Sequence, residues 1–567
     1  MARTLALRAP NDAECLQLLA DTLAMAGALD EAAGYYERAV ARVPKNAPLR
    51  NNYGWLLTQR REFARAEAEL REALRLDPAY PGAQRNLVLT LLAARNTIGA
   101  IDAGRGALLR NPGDEVVARN LAIALLAAGA ADEAVAVLRK TRSIGGATPA
   151  LQSLLACTVN YWQGASAEEQ FKEHAELGRM MAAAIRPDAE AFGASADPER
   201  VIRVGYISQA FCSHSAGHFI EPVLTHHDRE RVAVVCYSRT AQADGMTQRF
   251  RGLPVEWVEC RAMSPRALAD RIRADRIDIA VDLIGHTSDT ILPALCLRPA
   301  PIQMTYLGYP NTTGLPAIGH RIVDAITDPP GAERLSTESL IRINPCFLCY
   351  APPGHAPRPA GTPPSVSTGR VTFGSFNTNA KLSAPTLELW ARILKVVPGS
   401  RLLLKNADLA DRTIADLRRR ELAEFGIDPE RVELHGQTAS PADHLAMYSR
   451  VDIALDPFPY NGTTTTVEAL WMGVPVVALA GDSHVSRVGM SVLAASGLPD
   501  LVAEDKERYL GIAVGLAGDP DRLAALRTDL RDTVRGSALC DGPGFVSRLE
   551  TAYREIWRNW CRSRIKA

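Results

Sequence analysis

Along the first quarter of the chain, apolar and small residues return every 34 positions. Leucine falls at Leu23, Leu57, Leu91 and Leu125, and alanine at Ala32, Ala66, Ala100 and Ala134, with Ala39, Ala73 and Ala107 in step. Proline keeps the interval at Pro10, Pro44, Pro78 and Pro112. Small residues at fixed offsets let two helices pack closely, and a proline closes each unit; this is the tetratricopeptide signature. It predicts four helical hairpins, each burying its apolar face on its neighbours, in a curved solenoid. Asparagine is a poor helix former, yet Asn52, Asn86 and Asn120 recur at the same interval. Two readings stand: a ladder on the concave face that bonds the backbone of an extended acceptor peptide, or bonding and capping between repeats.

The phase fails after Ser143, and Gly145-Gly146-Ala-Thr-Pro149 reads as a break. Residues 150–187 read as helical, and Arg186-Pro187 to Pro198 as a linker. From Val201 the chain alternates strands and helices. Candidate strands are Ile202–Ser208, Val232–Tyr237, Ile277–Leu283, Val371–Ser375, Arg401–Lys405, Val432–Leu434, Asp452–Leu455 and Val474–Leu479. Helical stretches between several of them argue for parallel sheets with crossover helices. The Pro-, Gly- and Ser-rich stretch Ala351–Ser367 divides this region into two lobes, with the site expected in the cleft between them. The amphipathic segment Gly544–Arg562 is expected to form a helix packed across the lobes. The organisation expected is therefore α followed by α/β. Repeats span 1–143, a helical linker 144–200, one Rossmann-like lobe 201–366, a second 367–540, and a C-terminal helix 541–567.

Charge narrows the partners. Sixty-four basic and 64 acidic residues cancel, which argues against general attraction to nucleic acid or anionic membrane. The first residues carry no signal-peptide pattern and no window is apolar enough to span a membrane. Ten scattered cysteines fit reduced cytoplasmic thiols. Cys346-Phe-Leu-Cys349 has no second pair or histidine cluster, so it reads as core packing rather than a zinc site.

Chemistry concentrates at strand ends. Pro459-Tyr-Asn461-Gly462-Thr463-Thr464-Thr465-Thr466-Val467-Glu468 follows an apolar run ending at Asp456 and precedes a helix. A helix N-terminus presents unpaired amides and the positive end of the dipole, and can hold a diphosphate; a plain threonine N-cap is the other reading. Gly374-Ser-Phe-Asn377-Thr378-Asn-Ala-Lys381 follows another strand, where a lysine can neutralise a departing phosphate. His214 and His218 follow the first α/β strand, and histidine suits proton transfer near neutral pH. Asp282 lies in a strand, with His286 and Thr287 in the loop beyond. His444 precedes Asp452 by eight residues and reads as starting a helix. Asp519-Pro-Asp521 reads as a helix cap rather than a metal–nucleotide motif.

Repeats followed by two such lobes resemble the protein O-glycosyltransferases of glycosyltransferase family 41, which includes O-GlcNAc transferase and the plant O-fucosyltransferase SPINDLY. Arg298-Pro-Ala-Pro-Ile-Gln303, Leu307-Gly-Tyr-Pro310, Phe376-Asn377…Lys381 and Asn461-Gly462…Thr464-Thr465 are similar to shared family motifs. Gly285-His-Thr287, Cys346-Phe-Leu-Cys-Tyr350 and the Thr463–Thr466 run look closer to SPINDLY. The resemblance implies a GT-B fold and inverting, metal-independent sugar transfer to Ser/Thr of protein acceptors held in the repeat groove. No cofactor is implied. Lys381 would contact the donor diphosphate with Thr464 and Thr465. His444 would lie against the base, Glu468 near the ribose, and His214 at the catalytic cleft. Asp282 joins the catalytic candidates, and Asn377, Thr378, Asn461, Gly462 and Thr463 the donor-binding ones. Asn52, Asn86, Asn120 and His218 are the acceptor-binding candidates. Ala210 departs from a family Asp, and Thr463 and Thr378 stand where O-GlcNAc transferase has His and a base-contacting Gln. GDP-fucose and UDP-GlcNAc both therefore stand as donors. A bacterial acceptor such as flagellin, another activated sugar, a dimer, and a non-catalytic scaffold sensing a nucleotide sugar remain alternatives.

Overall fold

The computed structural model describes residues 12–188, 197–287 and 290–565. The chain forms two compact units. One holds the described residues through Leu151 together with Thr378–Ala380 and Asn406–Glu421; the other holds the remainder.

The first unit is built of helix pairs. Ala13–Met25 pairs with Leu29–Arg42, Ala47–Gln59 with Phe63–Leu76, Pro81–Ala93 with Thr97–Arg110, and Glu115–Ala127 with Ala131–Gly145. These are the four expected hairpins. Pro44, Pro78 and Pro112 lie in the turns between pairs; Pro10 lies outside the described residues. The alanines and leucines of the 34-residue row are buried. The first helices of the second, third and fourth pairs touch in succession, and Asn52, Asn86 and Asn120 sit half-buried on them. Asn86 Nδ2 donates to Asn51 Oδ1 at 2.8 Å, and Asn51 Nδ2 to Asn52 Oδ1 at 3.1 Å. Of the two readings, inter-repeat bonding accounts for Asn86, an acceptor-binding candidate whose amide is taken up by Asn51.

Two pieces that the sequence places among the α/β elements complete this unit. The last repeat helix but one ends with unpaired carbonyls, as every helix does. Arg418, 1% exposed, donates to the Ala128 carbonyl. Asn379 Nδ2 donates to the Ala127 carbonyl at 2.5 Å, and the Thr97 amide donates to Asp411 Oδ2 at 2.9 Å.

The second unit carries two parallel sheets. The first is β1 Ile202–Ser208, β2 Val232–Ser238, β3 Glu256–Glu259, β4 Ile279–Asp282, β5 Ile302–Thr305, β6 His320–Val323 and β7 Ser339–Arg342, in the order β3-β2-β1-β4-β5-β6-β7. The second is β8 Thr372–Ser375, β9 Arg401–Lys405, β10 Val432–His435, β11 Ile453–Leu455, β12 Val476–Leu479 and β13 Val502–Ala503, in the order β10-β9-β8-β11-β12-β13. All strand pairs are parallel, with β1 matched residue for residue to β2 from Ile202↔Val232 to Ser208↔Ser238. These are the two Rossmann-like lobes of a GT-B region. Five strands escape the sequence reading (β3, β5, β6, β7 and β13), each of two to four residues among turn formers.

Glycine lets the Ala167–Ala184 helix lie directly on the first lobe. A Cβ at Gly178 would fall on the Gly314 carbonyl, and one at Gly314, whose φ is +73°, on the His174 carbonyl. The C-terminal helix, Gly542–Ile565, also packs on the first lobe. Tyr553 Oη lies 3.1 Å from Tyr206 Oη, Glu550 2.8 Å from His227, and Arg554 donates to the Pro198 and Arg200 carbonyls at 2.7 Å. It was expected to pack across both lobes; these partners lie in the first lobe and in the linker just before it. Among the described residues no helix is long and apolar enough to cross a membrane.

Candidate active site

In an open parallel sheet, ligands bind outside the strand C-termini where the strand order reverses. In the second lobe that point lies between β8 and β11. The Asn377–Lys381 loop leaves β8 there, and the threonine turn leaves β11.

Asp456 closes β11 and folds the turn back. Its Oδ1 accepts the Gly462 amide at 2.8 Å, and Thr466 Oγ1 reaches Oδ2 at 3.4 Å. The helix then runs Thr464–Trp471, so it begins inside the threonine run and not after it. The four threonines divide. Thr466 Oγ1 donates to the Gly462 carbonyl at 2.8 Å, and Thr465 Oγ1 to Asn377 Oδ1 at 3.0 Å. Thr463 makes no side-chain cap bond, and the Thr463 and Thr464 hydroxyls take no partner among the described residues. The helix N-terminus therefore keeps open hydroxyls and its own unpaired first amides. Glycine is required at 462, because a Cβ would crowd Thr465 Oγ1 and come within 2.5 Å of Asn377 Oδ1. Asn461 differs from expectation. It is fully buried, its Nδ2 donates to the Pro457 and Leu479 carbonyls and its Oδ1 accepts the Gly489 amide, so its side chain braces the turn instead of meeting a donor.

Lys381 ends a short turn, Asn379–Lys381. Its Nζ donates to the Asn461 carbonyl at 3.2 Å and lies 4.0 Å from the centre of the Tyr460 ring. Burial holds this ammonium below its usual pKa, opposed by the Asp456 charge, and burial raises Asp456 in turn. A bound diphosphate would favour the charged lysine. Thr378 is exposed in the same loop.

A second cluster lies at the end of β9. His444, in the last turn of the Pro441–Ala446 helix and not at its start, accepts from Lys405 Nζ at 2.6 Å through Nδ1. Its Nε2 donates to Glu468 Oε2 at 3.0 Å. Phe376 packs beside it, with ring centres 5.7 Å apart. Burial lowers the Lys405 pKa while Glu468 opposes the shift. Lys405 was not anticipated, although it closes a parallel strand beside β8, the placement that singled out Lys381.

In the first lobe, His214 caps the Ser215–His226 helix, and its Nδ1 accepts the Ala216 amide at 3.2 Å. Nε2 is left for chemistry. The ring is exposed, and the surrounding protein, then His218, lowers its pKa. His218 follows one turn later. Burial lowers its pKa and the Glu468 charge opposes this, while its ring packs on Tyr350 with centres 6.0 Å apart. Asp282 is corrected outright. Fully buried, its carboxylate accepts the Ile284 and Gly285 amides and the Thr305 hydroxyl at 2.9–3.1 Å. It organises the loop after β4 and is shut away from any substrate. His286 is buried beside Tyr309 with Nε2 2.6 Å from the Thr313 carbonyl, and burial lowers its pKa to about 4. The Arg298–Gln303 motif lies at the N-terminal end of β5, opposite the crevice, where Arg298, Gln303, His320 and Trp560 line a cavity of about 410 Å³. Among the described residues no three or more His, Cys, Asp or Glu side chains stand together to hold a metal ion.

Comparison with known proteins finds the same two-part organisation. The family model described as glycosyl transferase family 41 matches residues 172–349 and 365–549, and a tetratricopeptide model matches 23–88 and 91–156. The chain is 41% identical over 411 residues to the probable UDP-N-acetylglucosamine–peptide N-acetylglucosaminyltransferase SPINDLY of Arabidopsis thaliana, covering 72% of this chain and 45% of that protein. It is 24% identical over 480 residues to the UDP-N-acetylglucosamine–peptide N-acetylglucosaminyltransferase of Caenorhabditis elegans, covering 63% and 41%. It thus spans less than half the length of these curated relatives. A solved structure of a Thermobaculum terrenum O-GlcNAc transferase mutant superposes with a TM-score of 0.80 at 32% identity, over 91% of this chain and 99% of that one.

Proposed function

The chain belongs to glycosyl transferase family 41, and on that footing we propose that it transfers a sugar from a nucleotide diphosphate sugar to Ser or Thr hydroxyls of protein acceptors. The observation that carries this reading is the pairing at one switch point of the Lys381 ammonium with the open N-terminus and free hydroxyls of the Thr464–Trp471 helix. Cation, amides and hydroxyls aimed where the leaving diphosphate gains charge are the arrangement such a departure needs. No metal is required in this scheme. The acceptor oxygen attacks the anomeric carbon from the opposite face, its proton passes to a base, and the bond to the diphosphate breaks, inverting the centre. His214 suits the base, because its lowered pKa keeps Nε2 unprotonated near neutral pH. His444 and Glu468 hold the nucleoside, and the donor is UDP-GlcNAc or GDP-fucose. Acceptors lie along the repeats, with Asn52 and Asn120 the remaining candidates for backbone contacts. All ten cysteines are free thiols, which supports a reducing, cytoplasmic setting.

Titration calorimetry with UDP-GlcNAc and GDP-fucose tests the reading. One of them binds the wild-type chain, and Lys381→Met lowers transfer from that donor by at least about 100-fold while the fold persists. Retained turnover would remove Lys381 from the mechanism, and binding of neither donor would remove the reading.

A further inference from the structure

Glu468 bonds His444, and its field extends further. Its charge also reaches His218 and Tyr350. Tyr350 ends the Cys346–Tyr350 motif in the segment joining the two lobes, and its backbone amide donates to the Leu539 carbonyl at 2.7 Å. The residue is 2% exposed, yet its hydroxyl takes no hydrogen bond among the described residues. Beside it, at 6.0 Å between ring centres, His218 has an enclosed Nδ1 that is also without a partner among them. The neighbouring Ala351 amide donates to the His218 carbonyl at 2.9 Å and pins the two segments together. Buried polar atoms are almost always paired. Two orphans on packed rings mark a place where a hydroxyl-bearing ligand completes the bonding. Tyr350 stays protonated because burial raises its pKa, so it can donate, and His218 stays neutral for the same physical reason.

We propose that Tyr350 Oη and His218 Nδ1 form a hydroxyl-binding subsite at the lobe junction that grips a sugar-ring hydroxyl of the nucleotide diphosphate sugar. This rests on the reading given under Proposed function. The hydroxyl belongs to the ribose or to the transferred sugar, and the two sources separate experimentally. Tyr350→Phe removes one oxygen and leaves the ring packing intact.

Calorimetry and thermal melting of the wild-type chain and its Tyr350→Phe variant decide the matter. The proposal expects donor binding about five- to tenfold weaker, the cost of one neutral hydrogen bond, with a Tm that is unchanged or raised. If the nucleoside diphosphate alone weakens equally, the ribose is the ligand; if only the full nucleotide sugar does, the transferred sugar is. His218→Asn, which keeps a polar atom near the Nδ1 position, should retain more affinity than His218→Leu. Unaltered donor affinity in Tyr350→Phe beside normal wild-type binding overturns the subsite alone. A lowered Tm with unaltered affinity assigns the hydroxyl a structural role and overturns it too. Absence of nucleotide binding by the wild type overturns the functional reading and the subsite with it.

Discussion

Replacing Gly462 by alanine tests whether the donor turn is packed as tightly as its geometry requires. The added Cβ would lie within 2.5 Å of Asn377 Oδ1 and 3.0 Å of Asp456 Oδ1, and closer still to Thr465 Oγ1. Asp456 cannot retreat easily, being fully buried and bonded to the Gly462 amide itself. The softest response is rotation of Thr465, which breaks its 3.0 Å bond to Asn377. Overpacking a tight site costs about 1–3 kcal/mol, and the lost bond about 1 kcal/mol more. Even about 2 kcal/mol lowers the Tm of a lobe of this size by roughly 4–8 °C. Because the same turn aims the amides at Thr464–Thr466, donor affinity should fall by about tenfold or more. Gly511 supplies the control. It lies exposed within the Lys506–Ala517 helix with nothing within 4 Å of its Cβ position. The same substitution there should stabilise by about 0.5–1 kcal/mol. Melting curves and donor titrations of both variants carry the test. A Gly462→Ala chain with wild-type Tm and affinity would refute the packing argument.

Two further outcomes follow from buried groups. Asp282→Asn exchanges one acceptor oxygen for an amide facing donors, so stability should fall by about 1–3 kcal/mol with the turnover of the folded enzyme unchanged; lost turnover at an unaltered Tm would restore a catalytic role. His174 and His286 are buried neutral, with pKa values lowered by burial to about 3 and about 4. The unfolded chain takes up these protons first, at about pH 6.5. Their stabilising effect is therefore complete above that pH and is lost as the pH falls toward the folded values. At pH 5 the loss is about 2 kcal/mol for each histidine, measurable by urea unfolding, and equal stability at pH 7 and pH 5 would contradict it.

Much of the architecture was legible in the residues, because it depends on local periodicity. The 34-residue interval places alanine and leucine on facing helix surfaces, which requires hairpins that bury one another. The lysine of the Asn377–Lys381 loop and the threonine turn were legible for a similar reason: strand, small-residue turn and helix start adjoin in sequence. Short strands such as β5 and β13 were not, since two to four residues carry too little alternation to stand out from flanking turn formers.

Tertiary structure alone decided which polar atoms face a ligand and which serve the fold. Asp282, Asn461 and Thr466 have the right chemistry for a site, yet each is consumed by nearby backbone amides or carbonyls. Lys405 and Glu468 come from separate elements and converge on His444, and His218 and Tyr350, from two others, pack ring on ring. Residue type and spacing determine what a side chain can bond. Which bonds remain for a substrate depends on what the folded backbone has already claimed, and that is set by sheet order and packing between residues far apart in the chain.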